Sequence, residues 1–167
     1  MKVRVSGTAT MITMVPNVWK RVLSIPGISG GPVYWKVVGT RTNRTTATSE
    51  VFSIIVDPTQ PVGDPTISPT IRTYLPTLSW RNNCNTKFKV WFGSDEQFTK
   101  KTAFAFNIKN PNDNEGEFTK VLTSGQWMAI RRVVKDTSGS TIYWYVESWD
   151  GLNRYTKTDV MNFVLLD

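Results

Sequence analysis

Histidine is absent from this chain of 167 residues, and cysteine occurs once, at Cys84. Without histidine there is no Ser-His-Asp or Cys-His nucleophile system, and the commonest metal ligand is missing. One cysteine excludes a disulfide within the chain and a cysteine-based zinc site. No apolar run approaches the length of a membrane-spanning helix. The start, Met1-Lys2-Val3-Arg4-Val5-Ser6-Gly7-Thr8, carries charge but no continuous apolar core of signal-peptide length. The expectation is that the mature chain starts elsewhere or that the sequence is an excerpt of something longer. Concentrated charge is lacking too. The net charge is +7, but its densest clusters are only Lys87 with Lys89, Lys100-Lys101 and Arg131-Arg132. A nucleic-acid surface concentrates its basic residues, so no specific nucleic-acid partner is expected. Lysine-based and carboxylate-pair chemistry survive these exclusions.

What is present is aromatic and β-branched. Apolar residues make up 40% of the chain and aromatics 12%, enough for a packed core. The stretch Ile142-Tyr143-Trp144-Tyr145-Val146-Glu147-Ser148-Trp149-Asp150 reads as a strand. Alternation puts Ile142, Trp144, Val146 and Ser148 on one face and Tyr143, Tyr145, Glu147 and Trp149 on the other. Its pattern occurs 109 residues earlier, in Val33-Tyr34-Trp35-Lys36-Val37-Val38-Gly39. At the same offset, residues 51–56 match residues 160–165. Trp19 with Val22 matches Trp127 with Ile130 at an offset of 108. Three matches in one order point to a duplicated domain.

Read in order, residues 2–15 alternate imperfectly and suggest one or two strands. Asn17 caps a short helix over residues 18–23, stopped by Pro26-Gly27. A glycine-rich turn leads to the Tyr34-Trp35 strand, a polar loop covers residues 41–49, and residues 51–56 return. Prolines 58, 61 and 65 mark residues 58–65 as a semi-stiff linker merging into an edge strand. In the second half, residues 77–80 form a strand with Leu78 and Trp80 on one face. Residues 81–86 turn. Residues 87–93 place Phe88, Val90 and Phe92 inward. Residues 102–108 put Phe104 and Phe106 on one side. Residues 125–133 make one or two helical turns, and two closing strands follow.

Many short strands separated by turns suggest an antiparallel β-sandwich. Pro76-x-Leu78-x-Trp80, Phe88-x-Val90 and Tyr143-Trp144-Tyr145-Val146-x-Ser148-x-Asp150 together resemble the fibronectin type III domain of the bacterial kind. The resemblance implies an all-β chain of tandem immunoglobulin-like (fibronectin type III-like) antiparallel β-sandwiches. Residues 66–167 match as a complete domain after the 58–65 linker. Residues 1–57 match only as the C-terminal part of another, because nothing in them corresponds to the segment from Pro76 to Trp80. It also implies a non-catalytic structural, adhesion or spacer module of a secreted or surface protein, at an extracellular or cell-surface location, without cofactor. An incomplete first copy is expected to leave edges and apolar surface open, favouring self-association or strand complementation.

Strands three and six are neighbours in that family, which gathers Lys87, Lys89 and Trp91 beside Tyr143, Tyr145 and Glu147. Trp91, Tyr143, Tyr145 and Lys89 are therefore the candidate ligand-binding residues. Aromatic platforms grip sugar rings or protein side chains, so a protein or polysaccharide surface is the expected partner, and an accessory carbohydrate-binding module is the alternative. The bland reading is cross-strand pairing that only stabilises the sheet. The loop Asn110-Pro111-Asn112-Asp113-Asn114-Glu115-Gly116-Glu117 is rich in oxygen ligands, but its order is not that of a calcium loop, and it reads as a polar turn. Asn43-Arg44-Thr45 fits a glycosylation sequon. Glu147 with Asp150, and Asp95 with Glu96, are possible acid–base pairs that read better as surface carboxylates. Trp19 and Trp127 read as apolar plugs at the open ends of the two copies.

Overall fold

The computed structural model describes residues 2–3, 11–99, 103–110, 115–133, 135 and 138–167. The expected strand through Val5 and half of the calcium-type loop, residues 111–114, lie outside these residues. The chain divides into two units, Met1–Thr59 and Gln60–Asp167.

In the first unit, residues 11–15 are irregular, and helix α1 (Pro16–Leu23) follows. It starts one residue before Asn17. Proline at the first helical position needs no N–H partner, and no side chain caps this end. After a short 3₁₀ turn, Gly27–Ser29, come β1 (Gly31–Trp35), β2 (Val38–Thr40), β3 (Thr46–Thr48) and β4 (Phe52–Val56). β1 pairs with β4 and β2 with β3, both antiparallel. Together they form one long interrupted hairpin.

The second unit is a sandwich. Its smaller sheet has the order β5 (Gly63–Ser68), β6 (Thr77–Asn82), β9 (Gly116–Val121). Its larger sheet runs β11 (Tyr155–Lys157), β10 (Thr141–Asp150), β7 (Asn85–Gly93), β8 (Ala103–Lys109), with β12 (Met161–Val164) beside β10. Helix α2 (Ser124–Val133) packs on β7 and β8. Thr123 and Gln126 form a capping box at its start: the Gln126 N–H donates to Thr123 Oγ1, and the Thr123 N–H donates to Gln126 Oε1.

The inward faces are those that alternation implies. Leu78 and Trp80 of the small sheet meet Phe88, Val90, Phe92, Ile142, Trp144 and Val146 of the large one, all buried. Across the sheets Trp80 meets Phe88 edge-on, with centroids 5.0 Å apart. Within the large sheet Phe92 lies parallel to Trp144. Phe104 and Phe106 flank this core.

The proline-rich stretch leads into the edge strand β5. Val62 is buried, Asn83 Nδ2 donates to the Pro61 carbonyl, and Asn85 Nδ2 donates to the Gln60 carbonyl. The ladder register shifts between Gly63 and Thr66. Pro65 is accommodated there because β5 is an edge strand. The 81–86 turn is shorter than expected, since β6 and β7 extend into it and leave only Asn83 and Cys84 between them. β9 is a strand that the sequence reading omits.

The hairpin of the first unit and the closing hairpin of the second share one backbone register. Every pair that β10 makes with β11 and β12 recurs 109 residues earlier: Ile142 faces Phe163 as Val33 faces Ile54, and Glu147 faces Lys157 as Val38 faces Thr48. The break in each hairpin is bridged alike. The Val37 N–H donates to Ser49 Oγ as the Val146 N–H donates to Thr158 Oγ1. Arg44 and Asn153, equivalent turn residues, both have positive φ, 66° and 63°. Burial does not follow the register. Trp144 is 2% exposed and Trp35 47%; Trp127 is 2% exposed and Trp19 40%. Val37 is also exposed. The sheet and strands that cover Trp144 and Trp127 have no counterpart among the described residues of the first unit, so Trp35 packs against Phe52 across the hairpin instead, with centroids 4.7 Å apart.

Candidate functional site: the outer face of the large sheet

Alternation aims Lys87, Lys89 and Trp91 of β7 away from the core, along with Tyr143, Tyr145, Glu147 and Trp149 of β10. Antiparallel register then sets Trp91 opposite Tyr145 and Glu147 opposite Lys89. The Trp91 and Tyr145 rings lie parallel, with centroids 6.1 Å apart. Lys89 Nζ sits 4.0 Å from the centroid of the Trp91 ring, a cation–π contact. Lys89, Trp91 and Tyr145 are thus brought together. Tyr143 stands two residues along the same face, opposite Gly93.

Three further side chains complete the cluster. β11 delivers Tyr155 and Lys157, and the segment after β7 delivers Phe98. Phe98 meets Tyr145 edge-on at 4.7 Å. Lys157 Nζ lies 5.8 Å from the Tyr145 centroid. The hub is Glu147. Its Oε2 accepts the Trp91 indole N–H at 2.9 Å, and its Oε1 accepts the Tyr155 hydroxyl at 3.1 Å. Sequence reasoning left out Tyr155 and Lys157. They were recoverable from the hairpin: pairing Asp150 with Arg154 across the turn puts Lys157 opposite Glu147.

Burial, with the Glu147 carboxylate and then Tyr155 adding to it, pushes the Tyr145 hydroxyl up to about 12. Tyr155 is raised in the same direction, by partial burial first and then by the charge and hydrogen bond of Glu147. A phenol beside a carboxylate resists a second negative charge. Both tyrosines therefore stay neutral hydrogen-bond donors at ordinary pH.

Of the carboxylates considered for acid–base work, Asp95 and Asp150 are engaged elsewhere. Asp95 Oδ1 accepts the Gln97 and Phe98 N–H groups and holds the turn after β7. Asp150 Oδ1 accepts the Leu152 and Arg154 N–H groups, and its Oδ2 meets Arg154 Nε at 2.7 Å. In the sequon, Asn43 Oδ1 accepts the Thr45 hydroxyl and N–H within an exposed turn. Among the described residues no group of three or more His, Cys, Asp or Glu side chains could hold a metal ion.

No protein-family model matches the chain, and no curated protein matches it. Among solved structures it is similar to the alpha chain of the chicken interferon gamma receptor, at 9% identity and a TM-score of 0.43, over 86% of this chain and 70% of that one. A likeness at this level carries no argument, and the fold stands on the strand order and core described above.

Proposed function

We propose that this chain is a non-catalytic structural, adhesion or spacer module of a secreted or surface protein, made of tandem fibronectin type III-like domains, the first of them incomplete. Its contacts are made with other proteins, through the outer face around Lys89, Trp91, Tyr143 and Tyr145. The observation that carries this reading is the state of the acidic groups. Glu147 and Asp150 spend both oxygens on internal hydrogen bonds and Asp95 spends its Oδ1 on two, while the half-buried rings and the lysines form the face itself. Aromatic anchors ringed by cations suit an acidic protein surface. No helix among the described residues is long and apolar enough to cross a membrane.

The carbohydrate reading is the weaker one. A sugar stacked on Trp91 has to displace the Lys89 ammonium from over its ring, and Glu147 already holds the indole N–H. Nuclear magnetic resonance titration separates the two readings. An acidic, tyrosine-containing peptide is expected to shift the Trp91 indole and the Tyr143 and Tyr145 amides. Shifts with neutral oligosaccharides alone would reverse the ranking. Turnover of a polysaccharide or ester, lost in Glu147→Gln, would overturn the non-catalytic assignment.

A further inference from the structure

The two hairpins are equivalent, but only one has a neighbour on its outer edge. β10 lies between β7 on one side and β11 with β12 on the other. β1 pairs with β4, and β2 with β3, and among the described residues neither pairs with any strand on its second edge. Hydrogen-bonding direction identifies the open groups. Val37 directs both main-chain groups at Ser49: its N–H donates to Ser49 Oγ, and its carbonyl accepts the Ser49 N–H. Lys36 lies between β1 and β2 next to Val37, and its counterpart Tyr145 pairs with Trp91 of β7; the alternation of hydrogen-bonding direction along a strand turns the Lys36 N–H and carbonyl toward the open edge. Tyr34, Trp35, Val37 and Val38 around it are all exposed. An unpaired edge with apolar faces is a template for another strand.

We propose that the open edge of β1 and β2 is an acceptor site for a separate extended peptide strand with the side-chain pattern of β7. The second unit shows what such an edge takes. There Trp144 stands opposite Phe92, Tyr145 opposite Trp91 and Val146 opposite Val90. Transposed by 109 residues, the occupant runs antiparallel, sets an aromatic residue opposite Trp35 and a β-branched residue opposite Val37, and meets the Lys36 main chain. Main-chain bonds supply affinity and alternate side chains supply selectivity, as in strand addition generally. The inference rests on the comparison of the two units and not on the outer face of the large sheet, which lies in the other unit. Its failure leaves the reading of that face intact.

The probe is a synthetic peptide with the sequence of residues 85–93, extended by two lysines for solubility and added to the full chain. A scrambled peptide of the same composition, with its alternation broken, is the control. Hydrogen exchange read by mass spectrometry is expected to slow at least tenfold over residues 33–38 with the matched peptide, and not with the scrambled one. Lys36→Pro, which removes the N–H aimed at the open edge, is expected to abolish the effect. Trp35→Lys keeps every main-chain group and is expected to weaken binding at least tenfold, so the test stands even where the proline variant unfolds. Absence of protection at millimolar peptide overturns the proposal. So does protection confined to residues 141–150, which shows the peptide replacing β7 in the second unit. Light scattering that reveals a dimer lost in both variants overturns it as well, because the occupant is then a second copy of this chain.

Discussion

The two interrupted hairpins, residues 31–56 and 140–165, share their register, their bridging hydroxyl and their left-handed turn residue. They differ in what covers them. Trp144 and Trp35 occupy one position in the pattern, yet one is sealed between β7 and the small sheet while the other faces out beside Phe52. Local sequence therefore specifies the shape of the hairpin. Burial is a property of the neighbours, and a repeat in sequence does not bring them along.

The largest difference between the hairpins is expected at these two tryptophans. Trp144→Ala should cost about 3–5 kcal/mol, as for a buried aromatic. Trp35→Ala should stay within about 1 kcal/mol, as for a surface position. Chemical denaturation measures both, and equal costs would break the contrast. Next come Gly30 and Gly139, equivalent residues with φ of 64° and 78°. Alanine at either site pays about 1–2 kcal/mol for the left-handed backbone. At Gly30 the new Cβ also falls 2.5 Å from the Val56 carbonyl oxygen and from the Pro58 nitrogen, whereas at Gly139 nothing lies within 4 Å. Gly30→Ala should thus be the more damaging, read as loss of exchange protection in β1 and β4.

The bridging hydroxyls give a smaller contrast. Both hydroxyl residues are half-buried, but the Ser49 hydrogen bond is exposed and the Thr158 bond partly buried. Losing a hydrogen bond costs about 0.5–1.5 kcal/mol, and more where the partner group is left dry. Thr158→Ala should accordingly exceed Ser49→Ala in thermal unfolding of the two units.

The smallest effect is the response to alkali. Tyr145 in the folded chain keeps its proton up to about pH 12, against an ordinary value of 10.0. The folded state binds that proton more tightly than the unfolded one. The stabilisation is therefore complete below about pH 10 and disappears as pH rises toward 12. Glu147→Gln removes one of the two charges opposing ionisation and should bring the Tyr145 transition down. Burial alone should keep it above the ordinary value. Ultraviolet titration of tyrosine ionisation reports the order of these transitions.

Strand faces were legible wherever large apolar residues alternate without interruption. Phe88, Val90 and Phe92 announce β7, and Ile142, Trp144 and Val146 announce β10, because a period of two admits one inward set. β9 was not legible. Phe118 is its only large ring, stacked on Trp80 from a neighbouring strand, and isolated rings leave no period. β5 was legible only as an edge strand without bounds, because its prolines suit an edge strand as well as a linker. Of the outer face, Lys89, Trp91 and Tyr145 followed from alternation. The Glu147 hub and its Tyr155 donor did not, since they depend on the register across the hairpin turn.

The most direct test of the repeat is the cross-strand register of the first hairpin in solution, measured by nuclear Overhauser contacts. Val33 is expected opposite Ile54 and Trp35 opposite Phe52, alongside Ile142 opposite Phe163 and Trp144 opposite Met161. A slip that sets Val33 opposite Ser53 or Ile55 moves every side chain of one strand to the other face. That result would contradict the equivalence of the two units.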